Sequence, residues 1–296
     1  MYELIQMTDH DYYIDCPARI GLVRLDETDV VLIDSGSDKD AGKKVLRILE
    51  ANRWRLRAIF NTHSHADHIG GNRLLQDRTG CAVYARGLEC VYTNNPCLEP
   101  ATLYGGLPFR ELRNKFLMAK ESAASPLTED VLPAGIRLLA LPGHSFDMVG
   151  FLTPEGTAYI ADCVSSEETL AKYGIGYLWD VEASLATLAA LKGIPARRFV
   201  PSHAPVTEEI GALAARNEEA IRAVKRRILA LCAPAVSFEE LLKQLFDGDG
   251  LQMTAQQYAL VGSTLRSYLS SMYDHGELTV CFRDNRMLWA AAEPAG

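Results

Sequence analysis

Five short apolar runs in this chain each hand over to a side chain that carries charge or binds cations. Val30 to Asp34 ends on its own aspartate, and Leu56 to Asn61 runs into Thr62-His63-Ser64-His65-Ala66-Asp67-His68. Ile136 to Leu141 leads to Pro142-Gly143-His144, Ala158 to Asp162 ends on a second aspartate, and Arg198 to Pro201 leads to Ser202-His203. Runs of this length are too short for stable helices and read as strands buried on both faces. Polar groups that recur at the ends of such strands predict one site at the edge of an α/β architecture.

The segments between these runs support the same class. Ala41 to Asn52 carries Val45, Leu46, Ile48 and Leu49 at helical spacing. Further helices are predicted from Ile69 to before Gly80 and from Val181 to Lys192, and brief strands at Ala82 to Ala85 and Gly150 to Leu152. Tyr12 to Leu25 reads as extended, with an interruption at Cys16-Pro17. Residues 92–128 hold several turn clusters and read as an insertion or lid, with a helix over Phe109 to Lys120. Beyond Thr207 the pattern becomes helical over Glu208 to Leu231, Ser237 to Phe246 and Thr254 to Tyr273. Ser237 and Glu240 have capping-box spacing. Leu278 to Phe282 and Met287 to Ala291 then form a hairpin, so the tail reads as a small helical, winged-helix-like domain. The predicted division is 1–206 and 207–296.

The densest chemistry lies in residues 62–68. His63, His65 and Asp67 alternate as the chain leaves a strand, so an extended backbone presents them on one side. His68 stands where the next helix begins. Neutral imidazoles and carboxylates suit zinc, and Mn or Fe also accept such sites. Gly70 and Gly71 are expected to let the backbone crowd against whatever is bound. Any one of these histidines alone would read as an ordinary core or surface residue; their coincidence reads as a metal site.

The series Asp34, His63-x-His65-x-Asp67-His68, His144, Asp162 and His203 resembles the metallo-β-lactamase superfamily in order and spacing. The resemblance covers roughly residues 1–206. It implies an αββα sandwich with a two-metal site at one edge. Carried over by position, it gives His63, His65 and His144 to one metal, Asp67, His68 and His203 to the second, and Asp162 to both as a bridge. Asp34 would orient a ligand from behind. The implied cofactors are two zinc ions, with Mn or Fe as alternatives. Two cations about 3.5–4 Å apart can share a hydroxide and lower the pKa of its parent water. The expected reaction is attack of that hydroxide on a small ester, thioester or lactone. Asp67 is the catalytic candidate, orienting the nucleophile or taking its proton.

Departures from the pattern narrow the class. Asp162 stands where the best-known lactamases carry cysteine, and the adjacent Cys163 is expected to point to the opposite face of its strand. His65 stands where flavodiiron oxygen reductases carry glutamate. The stretches THSHADHIGGN and LPGHS are most similar to glyoxalase II-like hydrolases, which act on thioesters. The basic residues with which that family grips glutathione are not found. The tail resembles the winged-helix extension of β-lactamase-like endoribonucleases, so phosphodiester hydrolysis is an alternative. Another is an iron-dependent persulfide dioxygenase, which needs only His63, His144 and Asp162. A non-enzymatic metal-bound module is a fourth reading, against which the paired ligand set argues.

Charge separates these readings. The chain has 30 Lys and Arg against 38 Asp and Glu, a net charge of −8, and residues 206–296 hold nine against twelve. A phosphate-gripping tail normally carries a basic face, so a nucleic-acid partner is disfavoured. Arg222, Lys225, Arg226 and Arg227 form one local cluster, read as a solvated helix face. The expected partner is a small-molecule substrate, and the tail reads as a packing, pocket-closing or homodimer module. Candidate substrate contacts are Tyr104 and Lys115 in the insertion and Tyr173 and Tyr177 after Asp162. No run reaches the roughly 18 apolar residues of a membrane span. The start MYELIQMTDH lacks a signal-peptide pattern, and the seven cysteines form no C-x-x-C pair. A cytoplasmic protein with reduced thiols is expected.

Overall fold

The computed structural model describes residues 2–292. Strands β1 (Glu3–Gln6), β2 (Asp11–Asp15), β3 (Ile20–Arg24) and β4 (Asp29–Ile33) form an antiparallel meander. Helix α1 (Lys39–Asn52) then crosses to β5 (Arg55–Phe60), which runs parallel to β4. Helices α2 (Ala66–Ile69) and α3 (Asn72–Thr79) lead to β6 (Ala82–Ala85), and α4 (Gly87–Asn94) and α5 (Leu98–Tyr104) lead to β7 (Ala124–Pro126). The seven strands lie in sequence order in one sheet, parallel from β4 onwards. A second sheet has the order β11-β10-β9-β8, from β8 (Arg137–Ala140), β9 (Val149–Leu152), β10 (Thr157–Ser165) and β11 (Arg198–His203). Helices α6 (Glu167–Tyr173) and α7 (Val181–Leu191) join its parallel pair, β10 and β11. The chain ends with α8 (Ile210–Leu231), β12 (Val236–Ser237), α9 (Phe238–Gly248), α10 (Ala255–Asp274), β13 (Leu278–Arg283) and β14 (Arg286–Ala291).

Side-chain alternation explains why the two sheets stack. In β4, Val31 and Ile33 enter one apolar cluster while Val30 and Leu32 enter another; in β5, Phe60 and Ile59 divide in the same way. On the second sheet, Phe151, Tyr159 and Val200 meet Val31, Ile33 and Phe60 between the layers. Phe60 and Phe151 make that contact directly, with ring centroids 5.9 Å apart. The other face of the first sheet packs on Val45 and Leu49 of α1 and Leu75 of α3. The other face of the second sheet, through Ile160 and Phe199, packs on α7 and on α8–α10. The layers are therefore helix, sheet, sheet, helix, the αββα architecture expected. The C-terminal helices share one apolar cluster with the second sheet, from Leu141 to Leu278.

Several local expectations are corrected. The helix expected from Ile69 begins at Asn72, after a separate short helix that ends at Ile69; between them a side chain at Gly70 or Gly71 would meet the backbone of Ser35–Asp38 at 2.3 Å. These glycines let two stretches of backbone cross closely. Phe109 to Lys120 is not a helix beyond one 3-10 turn, Arg110–Leu112; Asn114 accepts from Phe116 N and donates to Glu111 O, turning the chain out of helical register. The loop expected between Asp162 and Val181 contains α6. Ser237 accepts from Glu240 N at 3.3 Å, but Glu240 bonds Gln244, so only half a capping box forms. The full box is at Thr254 and Gln257.

Phe151 is fully buried between the sheets. Phe151→Ala is expected to cost about 3–5 kcal/mol of stability, measured by denaturant unfolding. A loss below about 1 kcal/mol would contradict the inter-sheet core described.

Candidate metal centre

Because β4 and β5 run parallel, Asp34 and Thr62 emerge side by side from their carboxyl ends. Asp34 sits in the left-handed region at φ 65°, an uncommon place for a non-glycine residue. Its bonds account for that conformation. Asp34 Oδ1 accepts from Thr62 N at 2.8 Å, and Oδ2 accepts from Thr62 Oγ1 at 2.7 Å and His68 Nδ1 at 2.8 Å.

Each of the five histidines is held through one ring nitrogen. With its hydroxyl hydrogen given to Asp34, Thr62 Oγ1 accepts from His63 Nδ1 at 3.0 Å. His144 Nδ1 donates to Tyr177 O at 3.2 Å, and His203 Nδ1 donates to Pro17 O at 3.1 Å. His65 Nε2 faces Glu99 Oε1 at 3.5 Å. Where a carbonyl or carboxylate accepts from the outer nitrogen, a neutral ring keeps its lone pair on the inner one. The inner atoms converge. His65 Nδ1 and His144 Nε2 are 3.0 Å apart. Asp162 Oδ1 is 3.2 Å from His68 Nε2, and Oδ2 is 3.4 Å from His144 Nε2 and 3.2 Å from His203 Nε2. Asp67 Oδ2 is 3.3 Å from His203 Nε2.

These positions fit cations. His63, His65 and His144 form one group whose ligand atoms all lie within 4.8 Å of one another; Asp67, His68 and His203 form another, and His63, His68 and Asp162 a third that links them. His63 Nε2, His68 Nε2 and Asp162 Oδ1 are buried without hydrogen-bond partners, the condition a coordinated ion relieves. The protonation balance agrees. Burial, with the neighbouring histidines, holds His63 well below the usual imidazole range, and burial holds His65 and His144 down at about 4. Burial also opposes protonation of His68, but Asp162, Asp67 and Asp34 outweigh it and raise that ring. Asp162 pushes His203 up to about 10. Burial would raise Asp67 and Asp162, yet the imidazoles of His68 and His203 keep both carboxyls below the usual range. All seven predicted ligand positions, and Asp34 behind them, are thus brought together.

Two acids that the sequence did not single out complete the site. Glu89 is fully buried on α4 and accepts from Ser64 N at 2.8 Å, Ser64 Oγ at 2.6 Å and Asp147 N at 3.0 Å, and also from Ser145 Oγ. It ties the loop of His63 and His65 to the loop of His144. Glu99 on α5 is pushed up to about 8 by burial, then by Glu89 and Asp67. Neither position shows a spacing or motif that would mark a buried acid.

A cavity of about 700 Å³ opens at these side chains. Lys115, Tyr173 and Tyr177 line it, as expected, and Lys115 pairs with Asp38 at 3.0 Å. Tyr104 does not line it; it is half exposed and stands edge-on to Phe109. Ala161 adopts φ 48° and the register of β10 shifts there, so Cys163 also lines the cavity instead of pointing to a separate face. Burial, then Asp162, raises the Cys163 thiol far enough to keep it protonated. In the tail, Arg222 pairs with Glu218, Arg226 with Glu219, Arg227 with Asp249, and Lys225 with Glu182 and Glu277. The basic cluster is spent on neighbouring carboxylates.

A family model described as the metallo-beta-lactamase superfamily matches residues 13–203. The chain belongs to the metallo-beta-lactamase superfamily. Among its relatives is a hydroxyacylglutathione hydrolase of Methylococcus capsulatus, 29% identical over 68% of this chain and 72% of that protein. Another of that name, from Dechloromonas aromatica, is 27% identical over 78% and 77%. Among solved structures, a metallo-beta-lactamase family protein of Thermus thermophilus superposes with a TM-score of 0.71 at 16% identity, covering 98% of both chains. That likeness extends the shared fold over nearly the whole chain, tail included. As a superfamily member with hydrolase relatives and a matching His/Asp cluster, the chain is a metal-dependent hydrolase. No helix among the described residues is long and apolar enough to cross a membrane.

Because His203 is raised to about 10, the ion-free site holds a proton there at neutral pH, and a metal must displace it. Metal binding is therefore expected to release protons, and apparent affinity to rise as pH increases through neutrality. Calorimetry in buffers of differing ionisation enthalpy measures this. Binding without proton release would contradict the charge balance described.

Proposed function

We propose that the protein is a binuclear metal-dependent hydrolase of a small ester, thioester or lactone. The observation that carries this reading is Asp162, whose Oδ2 reaches His144 of one set at 3.4 Å and His203 of the other at 3.2 Å, while Oδ1 reaches His68 at 3.2 Å. His63, His65 and His144 would hold one ion and Asp67, His68 and His203 the other, with Asp162 between them. Zinc suits this ligand set best, and Mn or Fe also accept it. Bound there, divalent ions supply Lewis acidity, which makes water a nucleophile near neutral pH and polarises the substrate oxygen.

The chain's own residues do the rest. Asp34 and Thr62 keep His63 and His68 in one orientation and one tautomer, so neither ring reorganises during the reaction. Asp67 remains ionised and faces the cavity, placed to accept a hydrogen bond from the attacking water and orient it. Lys115, Tyr173 and Tyr177 stand along the wall where substrate would lie. We place residues 1–206 as the catalytic unit, and 207–296 as a winged-helix-like unit that closes the cavity.

The paired state of the tail's basic side chains favours a small molecule over a polynucleotide, since no unpaired row of cations in that cluster meets phosphates. The hydroxyacylglutathione hydrolase relatives favour a thioester within the class. The test is turnover of thioester, lactone and phosphodiester panels by zinc-loaded protein. Hydrolysis of at least one carboxylic ester or thioester, abolished by a chelator and restored by metal, is expected. Turnover confined to RNA would overturn the reading.

A further inference from the structure

The cavity does not end at the histidines. Its other walls include Leu188 of α7, Ala220 and Val224 of α8, Phe246 of α9 and Val261 of α10. Most polar side chains on these walls are already committed to the protein. Thr187 donates to Pro142 O at 2.7 Å, Ser184 to Asp180 O at 2.7 Å, and Thr264 to Leu260 O at 3.1 Å. Asn217 Nδ2 donates to Ser165 O at 3.0 Å, and its Oδ1 accepts from Ser165 N at 2.9 Å. The Cys163 thiol and the Tyr268 hydroxyl also line the chamber. What the walls offer a ligand is therefore chiefly hydrocarbon, supplied by aliphatic residues more than by aromatic faces. The volume, about 700 Å³, falls within the range of small-molecule sites, about 300–1,000 Å³. A glutathione-like thiol is polar and charged and gains nothing from such walls. A saturated chain gains with every methylene it removes from water.

We propose that this chamber holds the acyl chain of the substrate, so that the protein hydrolyses long-chain acyl thioesters. The inference rests on the hydrolase reading above and adds the substrate class. In the reaction, the hydroxyl of water adds to the acyl carbon, the carbon–sulfur bond breaks, and the remaining proton goes to the departing sulfur. The products are an aliphatic carboxylic acid and a thiol. The carbonyl lies against His65, Asp67 and Asp162, the chain runs beneath α8 and α10, and the thiol portion stays towards the exposed Lys115 and Lys172. On this account the C-terminal segment determines specificity.

The test is a series of acyl thioesters of one thiol, from acetyl to palmitoyl, assayed with zinc-loaded full-length protein below micelle-forming concentrations. The expected kcat/KM rises about fourfold per added methylene until the chamber is filled. Ala220→Phe and Val261→Phe, which project a ring into the chamber, are expected to lower the ratio of decanoyl to acetyl kcat/KM at least tenfold. A flat or falling profile in the unsubstituted protein would overturn the inference while leaving the hydrolase reading intact. If no ester, thioester or lactone is hydrolysed, the hydrolase reading falls, and the chamber is judged by binding alone. For that purpose decanol is titrated into metal-free protein by calorimetry. Saturable binding that Ala220→Phe weakens at least tenfold supports an aliphatic chamber, and absence of binding overturns it.

Discussion

Two carboxylates, Asp67 and Asp162, are packed against five imidazoles at the edge of a two-sheet sandwich, and that arrangement is tolerable only with cationic charge among them. Everything around the site serves to keep the imidazoles from rearranging to satisfy themselves. Asp34 holds His68 directly and His63 through Thr62. Carbonyls of Pro17 and Tyr177 hold His203 and His144. Glu89 stitches two of the ligand loops together from below. His63 Nε2, His68 Nε2 and Asp162 Oδ1 are left buried with no hydrogen-bond partner, and this unrelieved polarity is what bound metal would satisfy.

The sandwich exists to deliver these loops. Strands buried on both faces leave no freedom in the register, because a slip of one residue would exchange the two apolar clusters on either side of a sheet. Register fixes where each strand ends, and each strand end fixes a ligand. Beyond that, the C-terminal helices close the second sheet and share its core, so the same packing that stabilises the tail also walls the cavity beside the site. Core packing and cavity wall are thereby built from one set of side chains.

Much of this was legible in the sequence. Strand ends such as Val30–Asp34 and Ala158–Asp162 are local signals, since apolar runs and polar stops need no knowledge of distant partners. The seven residues that converge at the site were legible for the same reason. Other features depend on contacts that no local pattern encodes. Glu89 is buried only because Ser64, Ser145 and Asp147 surround it, and its helix shows no motif. The need for glycine at positions 70 and 71 comes from the backbone of Ser35–Asp38, which lies more than thirty residues earlier. Tyr104 and Tyr177 look alike in sequence, yet only Tyr177 faces the cavity. The placement of Cys163 depended on strand alternation, which the irregularity at Ala161 interrupts.

Asp162 is the residue proposed to join two metal positions into one centre. Metal stoichiometry of the purified protein, measured by elemental analysis after zinc loading and removal of free ions, tests it most directly. Two ions per chain are expected, with Asp162→Asn lowering affinity for both. A single ion per chain in the unsubstituted protein, or loss of only one on substitution of Asp162, would contradict it.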